Sequence, residues 1–223
     1  MTDHAVGRQA EYDVYDWWSR HPRLLNAFYT FVFFGREASI RRRAVDALAL
    51  APGDRVLELG SGPGNGLDPI RDRVGDDGLV VGVDASRGMT RRAADRVRDH
   101  GWENVHVVRG DATRLGVRDE AFDAVYAAMS LSAMPEPLAG VAAAHDALRP
   151  GGRLVVLDAQ PFQQLPFRLL NPVLVPLFER LTDWVPDVDL PAGIDERFAE
   201  TTVETYTDGT LFVASATKGT ERR

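Results

Sequence analysis

The string Val56-Leu57-Glu58-Leu59-Gly60-Ser61-Gly62-Pro63-Gly64-Asn65-Gly66 restricts the fold of this chain more than any other segment. An apolar run carrying one acid, Glu58, breaks into a turn with glycine at 60, 62 and 64. A buried parallel strand passes into a helix this way, and leaves its backbone bare for a ligand. Glycines there remove side chains that would block a nucleoside or amino-acid moiety, and they permit positive φ. The spacing restricts the choice further. A dinucleotide fingerprint reads Gly-x-Gly-x-x-Gly. Counted from Gly60, its third glycine falls on Asn65; the chain reads Gly-x-Gly-x-Gly instead.

Further units follow in order. Leu79-Val80-Val81-Gly82-Val83-Asp84 is a short apolar run ending in an acid. It lies about twenty residues past the glycines, where an open α/β sheet places the carboxylate that binds a ribose diol. A carboxylate suits vicinal hydroxyls because it accepts two hydrogen bonds at once. Val105-His106-Val107-Val108 then leads into Arg109-Gly110-Asp111-Ala112, and Ala121-Phe122-Asp123-Ala124-Val125-Tyr126-Ala127-Ala128 reads as a fourth strand. Leu148-Arg149-Pro150-Gly151-Gly152 reads as a helix end and turn introducing a fifth strand that ends at Asp158.

In these motifs, over roughly residues 50 to 160, the chain resembles the class I S-adenosylmethionine-dependent methyltransferases, whose first motif is an acidic-x-Gly-x-Gly-x-Gly run. The resemblance implies an α/β, doubly wound, Rossmann-like fold with a seven-stranded, mostly parallel sheet and a C-terminal antiparallel hairpin. Its strand order would be 3-2-1-4-5-7-6. It also implies S-adenosylmethionine as cofactor. Gly60, Ser61, Gly62 and Gly64 would then line the methionine and ribose, with Glu58 near the methionine ammonium. Asp84, followed by Ala85, would take the ribose hydroxyls, Asp111 and Ala112 would frame the adenine, and backbone at Ala127 or Ala128 would close on the methionine. Met89 would pack on the adenine or simply join the core. The alternatives are a salt bridge from Glu58 to Arg55 or a distant arginine, a helix-capping role for Asp84, and a turn role for Asp111. Asp158 reads as structural.

The 223 residues form one expected domain. Within it, 1–50 would be an N-terminal helical cap, 51–160 the cofactor-binding core, 161–195 a lid or acceptor segment and 196–223 the terminal hairpin. Helices are expected over 38–50, 67–74, 87–99 and 137–148. Strands over 201–207 and 210–217 flank Asp208-Gly209, a hairpin turn signal read from the residues themselves. There is no cysteine, which excludes disulfides, thiolate catalysis and thiolate-bound zinc, and the five histidines show no metal-ligand spacing. No metal is expected. A formal charge of −7 argues against a nucleic-acid partner. All basic residues but Lys218 are arginine, a bias that fits either a G+C-rich genome or a halophile. The polar, acid-bearing start is unlike a signal peptide, so a cytoplasmic protein is expected.

Two apolar regions point to the acceptor. One holds Tyr12, Tyr15, Trp17, Trp18, Phe28, Tyr29, Phe31, Phe33 and Phe34; the other is the proline-broken stretch Phe162 to Trp184, whose prolines and charges exclude a regular membrane-spanning helix. They imply either a lid that merely packs on the sheet or a pocket for an apolar or amphipathic acceptor, a lipid headgroup or a quinone-like molecule. Leu24 to Gly35, backed by Arg36, Arg41, Arg42 and Arg43, could rest on an anionic membrane as a peripheral contact. Ser130 to Pro137 is similar to the corresponding segment of phospholipid N-methyltransferases and of enzymes that transfer an aminocarboxypropyl group to diacylglycerol. Ubiquinone and menaquinone methyltransferases are the other near branch. The readings left open are methyl transfer to such an acceptor, aminocarboxypropyl transfer to a lipid, methylation of a soluble polar metabolite, and a non-catalytic cofactor-binding module. No catalytic residue is discernible; Tyr12, Tyr15 and His21 are candidates by location alone.

Overall fold

The computed structural model describes residues 13–220. Seven strands form one sheet: β1 (Arg55–Leu59), β2 (Leu79–Asp84), β3 (Val105–Arg109), β4 (Phe122–Ala128), β5 (Leu148–Ala159), β6 (Glu200–Tyr206) and β7 (Leu211–Thr217). Their order is β3-β2-β1-β4-β5-β7-β6. β1 to β5 pair in parallel, whereas β7 runs antiparallel to both β5 and β6. The resemblance implied this arrangement, and the turn signal at Asp208-Gly209 implied the antiparallel pairing of β6 and β7. The order reverses at β1 and β4, and a crevice opens outside the carboxyl ends of strands at such a switch point.

Helices cover both faces. They are α1 (Asp13–Arg20), α2 (Pro22–Val32), α3 (Glu37–Ala47), α4 (Leu67–Val74), α5 (Arg87–His100), α6 (Pro137–Ala147), α7 (Asn171–Thr182) and α8 (Leu190–Asp195). Side chains of a strand alternate between faces, and here the alternation separates two cores. Leu57, Leu59, Val125 and Val156 pack with Val141 and Ala144 of α6 and Ile194 of α8. Val56, Tyr126 and Val155 pack on the other face with Ile40 and Ala44 of α3, Ile70 of α4 and Ala93 of α5. Glu58 shares the parity of Val56, so its carboxylate enters the second core beneath α3.

Boundaries shift in two places. α3 ends at Ala47, three residues before the apolar pattern does, because Leu48 to Leu50 leave the helix with Ala49 at φ 51°. β5 starts at Leu148 and absorbs the Pro150-Gly151-Gly152 turn as an irregular register against β4. Lys218, the only lysine, returns to this corner. Its Nζ donates to the carbonyls of His145 and Leu148 at 2.9 and 2.7 Å and so caps the end of α6.

Candidate active site

The turn after β1 is shaped by protein as much as by any ligand. Gly60 has φ 64°, and a Cβ there would fall 2.4 Å from Cβ of Ser130 in the loop after β4. At Gly66 a Cβ would lie 2.2 Å from Oε1 of Glu58. Glycine at these positions lets the turn close over β1 and β4 while the Glu58 carboxylate stays beneath it. The resulting cavity is walled by Glu58, Gly60, Ser61, Gly62, Asp84, Ala85, Met89, Asp111, Ala112 and Ala128. Those are ten of the twelve residues picked out from the sequence. Gly64 and Ala127 lie outside the lining: Gly64 faces Leu67 and Ala93, and Ala127 is fully buried in the first core.

The three carboxylates differ in environment. Glu58 is 2% exposed, and its Oε2 has no hydrogen-bond partner. Burial raises its pKa to about 8, against the field of Arg41 and with help from Asp84 and Asp68. Asp84 Oδ2 accepts the Gly62 amide and Oδ1 the Ser86 amide, at 2.8 and 2.9 Å. Burial nonetheless raises its pKa to about 6. The helix-capping role falls to Ser86, whose Oγ accepts from the Met89 amide at 3.1 Å. Asp111 Oδ1 accepts from both the amide and the hydroxyl of Thr113, a local turn at the mouth of the cavity. Met89 lines the cavity and also packs with Trp18 and Leu25.

Arg41 is the main residue of this site that the sequence did not reveal. In the sequence it reads as one of three arginines on the solvent side of a helix, yet it turns inward at the edge of the α3 stripe. Its Nε donates to Glu37 Oε1 at 2.8 Å, and its guanidinium lies 5.4 Å from the Tyr29 ring and 5.5 Å from the Phe33 ring. Only Arg42 and Arg43 of that run are exposed. Asp16 was equally hidden. From α1 it accepts the Ser86 hydroxyl and the Gly88 amide, the latter at 2.8 Å, and so ties the N-terminal helix to the start of α5. Burial alone would raise its pKa, but these two hydrogen bonds together with the fields of Arg109 and Arg20 outweigh it and leave the pKa lowered.

A second cavity adjoins the first. Its walls come from α1 and α2 (Tyr15, Trp18, Leu25, Phe28, Tyr29, Phe31), from the post-β5 segment (Phe162, Leu174, Val175, Phe178, Trp184) and from the strand ends at Met129, Ala159 and Leu211. Tyr15, Tyr29, Met129 and Ala133 line both cavities. Met129 follows β4 with φ 56°, a left-handed conformation uncommon for a residue other than glycine. The two apolar regions of the sequence therefore meet. Tyr15 Oη donates to the Thr182 carbonyl at 2.5 Å and Trp18 Nε1 to the Leu181 carbonyl at 2.9 Å, which joins α1 to the end of α7. The buried Trp184 Nε1 has no hydrogen-bond partner. His21 lines neither cavity; it stacks on Trp17, and its Nδ1 lies 2.8 Å from the Trp17 carbonyl oxygen. Tyr12 lies outside the described residues. Leu165 and Leu169 of the post-β5 segment are each 72% exposed, and Phe31 and Phe34 are 62% and 61% exposed. Among the described residues no helix is long and apolar enough to cross a membrane, and no metal-binding cluster is present.

Comparison with known proteins extends these observations. Residues 56–152 match a family described as a methyltransferase domain. The chain is 31% identical over 158 residues to aklanonic acid methyltransferase DauC of Streptomyces sp. (strain C5), covering 70% of this chain and 71% of the relative. It is 35% identical over 162 residues to phosphatidylethanolamine N-methyltransferase of Cereibacter sphaeroides, covering 72% and 77%. To demethylmenaquinone methyltransferase of Beutenbergia cavernae it is 37% identical over 149 residues, covering 64% of this chain and 58% of that protein. A SAM-dependent methyltransferase from Aquifex aeolicus superposes with a TM-score of 0.61 at 19% identity, over 79% of this chain and 88% of that one.

Proposed function

The chain belongs to the class I S-adenosylmethionine-dependent methyltransferases, and from that premise we propose that its acceptor is a small apolar or amphipathic molecule, a lipid headgroup or a quinone-like compound. One observation carries the reading: the aromatic cavity shares Tyr15, Tyr29, Met129 and Ala133 with the cavity behind the glycine turn. An acceptor held there has its nucleophile at a seam where a methyl group can cross. The relatives named for aklanonic acid, phosphatidylethanolamine and demethylmenaquinone support an acceptor of this general class.

The residues fit the cofactor. A buried carboxylate oxygen without a partner, as at Glu58, is costly unless a cation or donor meets it, and the methionine ammonium supplies one. Each oxygen of Asp84 accepts one backbone amide and keeps a lone pair for a ribose hydroxyl. Gly60, Ser61 and Gly62 would hold the methionine and ribose with Gly64 supporting the turn behind them, Asp111 with Ala112, Ala85 and Met89 would hold the adenine, and Ala128 with Ala127 behind it would close the methionine end. When bound, S-adenosylmethionine supplies an electrophilic methyl group on a sulfonium. The chain's own work is then to orient the acceptor in line and to exclude water. The aromatic walls do the second, and Trp184 Nε1 offers a donor to an oxygen of the acceptor. The exposed Leu24, Phe31, Phe34, Leu165, Leu169 and Val173, with the exposed Arg36, Arg42 and Arg43, are apolar and basic side chains suited to meeting the acceptor at an anionic membrane surface.

The test is an untargeted assay of lipid and soluble extracts with S-adenosylmethionine labelled in the methyl carbon. Label in a product that partitions into organic solvent is expected. Label confined to water-soluble products overturns the acceptor class. Incorporation only from cofactor labelled in the aminocarboxypropyl chain replaces methyl transfer by transfer of that chain.

A further inference from the structure

Hydroxyl groups on the aromatic cavity wall differ in what receives their hydrogen bonds. Tyr15, Thr182 and Thr210 donate to the backbone carbonyls of Thr182, Phe178 and Thr207. A peptide carbonyl holds such a bond but cannot take the proton. Ser132 is unlike them. Its Oγ donates to Oδ1 of Asp158 at 2.5 Å, and its amide donates to Oδ2 of the same carboxylate at 3.0 Å.

Asp158 ends β5, is 0% exposed, and forms no ion pair among the described residues. Burying a carboxylate without a cation is expensive, and in the sequence this residue reads as merely structural. Its position says more. Ser132 stands between Leu131 and Ala133, and Ala133 is part of the wall that both cavities share. The hydroxyl–carboxylate pair thus lies beside the seam that the methyl group would cross.

Resting on the reading that the acceptor occupies the aromatic cavity, we infer that Ser132 receives the acceptor's proton and relays it to Asp158, so that the acceptor carries an ionisable O–H: a phenol, an enol or a hydroquinone. In the step, the acceptor oxygen forms a bond to the methyl carbon as the carbon–sulfur bond breaks and its electron pair stays on sulfur. The acceptor's proton moves to Ser132 Oγ while the Ser132 proton moves to Asp158 Oδ1. Asp158 is left neutral and returns its proton to solvent once the product leaves. Ser132 is the catalytic residue; Asp158 acts through it.

Burial raises the pKa of Asp158, outweighing the hydrogen bonds from Ser132, Ala159 and Ser130, which makes it a better base than an exposed aspartate. The titratable groups whose fields couple to it are the Tyr15 and Tyr29 hydroxyls of α1 and α2. On β7 its register partner is Phe212, which carries no charge.

Two probe acceptors separate a relay from a structural pair. Menadiol has an O–H to lose, whereas quinoline reacts at a ring nitrogen that carries no proton. Ser132→Ala and Asp158→Asn are expected to slow menadiol methylation by roughly 100-fold or more, to slow quinoline methylation by far less, and to keep S-adenosylmethionine affinity. Ser132→Thr, which keeps the hydroxyl, is expected to retain menadiol activity. The wild-type menadiol profile should fall on the acid side, along a limb that Asp158→Asn lacks. Equal losses with both probes would make the pair structural and overturn the relay. Methylation of quinoline alone by the wild type would overturn the relay and leave the acceptor cavity standing. Failure of the wild type to methylate either probe while it binds S-adenosylmethionine would remove both. Should Asp158→Asn fail to fold, Ser132→Ala decides the matter alone.

Discussion

Replacing Glu58 by Gln should make the empty protein more stable and the cofactor bind more weakly. Burial shifts the Glu58 pKa from 4.5 to about 8. A carboxyl whose pKa is raised on folding binds more protons in the folded state, so its contribution to stability is whole below about pH 4.5 and is lost as the pH climbs to about 8. At 1.36 kcal/mol per pKa unit, the loss reaches about 5 kcal/mol. Glutamine has the shape of the neutral acid and does not titrate. The stability gap between Glu58→Gln and wild type should therefore widen from about 1 kcal/mol at pH 5 to about 5 kcal/mol at pH 9. Thermal unfolding reads this, since 1 kcal/mol moves Tm by about 2–4 °C in a chain of this size. Calorimetric titration gives the other half. Wild-type affinity for S-adenosylmethionine should rise with pH toward about 8, as Glu58 ionises to meet the ammonium, and the variant should lack that rise. A Glu58→Gln protein less stable than wild type at pH 9, or one with unaltered pH dependence of binding, would refute the reasoning.

Three further outcomes are expected. Asp84→Ala should weaken S-adenosylmethionine binding by about 1.5–3 kcal/mol, the worth of hydrogen bonds to a charged group, and calorimetry should detect no NAD binding to wild type. Gly60→Ala should lose about 1–3 kcal/mol in chemical denaturation, because φ is 64° and the new Cβ meets Ser130 at 2.4 Å. Gly62→Ala, with φ 54° but open space around its Cβ, should lose less. Wild type should sediment with anionic vesicles at low salt, and Phe31→Ser with Leu169→Ser should abolish this; no binding at all would remove the membrane contact.

The parts of the fold legible in the sequence are those encoded by local pattern. All strands of the parallel core but β4 are apolar runs with glycine or an acid at or next to the carboxyl end, and the glycine turn, Asp84 and Asp111 all follow from their places at strand ends. The unread residues depend on contacts between segments far apart in sequence. Arg41 looks like its exposed neighbours until α3 lies over β1 and β4. Asp16 meets Ser86 and Gly88 across 70 and 72 residues of chain, and Ser132 meets Asp158 only because β4 and β5 are adjacent. In the sequence Gly60 reads as room for a ligand, and Gly66 has no assigned role. Side chains of Ser130 and Glu58 occupy the space that a Cβ would need there, which no local pattern discloses.

A crystal structure with S-adenosylhomocysteine tests most directly whether the two adjoining cavities are one reaction site. The homocysteine ammonium is expected at Glu58, the ribose hydroxyls at Asp84, and the sulfur turned toward the wall of Met129 and Ala133 that opens on the aromatic cavity. A sulfur turned away from that wall, with the aromatic cavity closed off from it, would contradict the account.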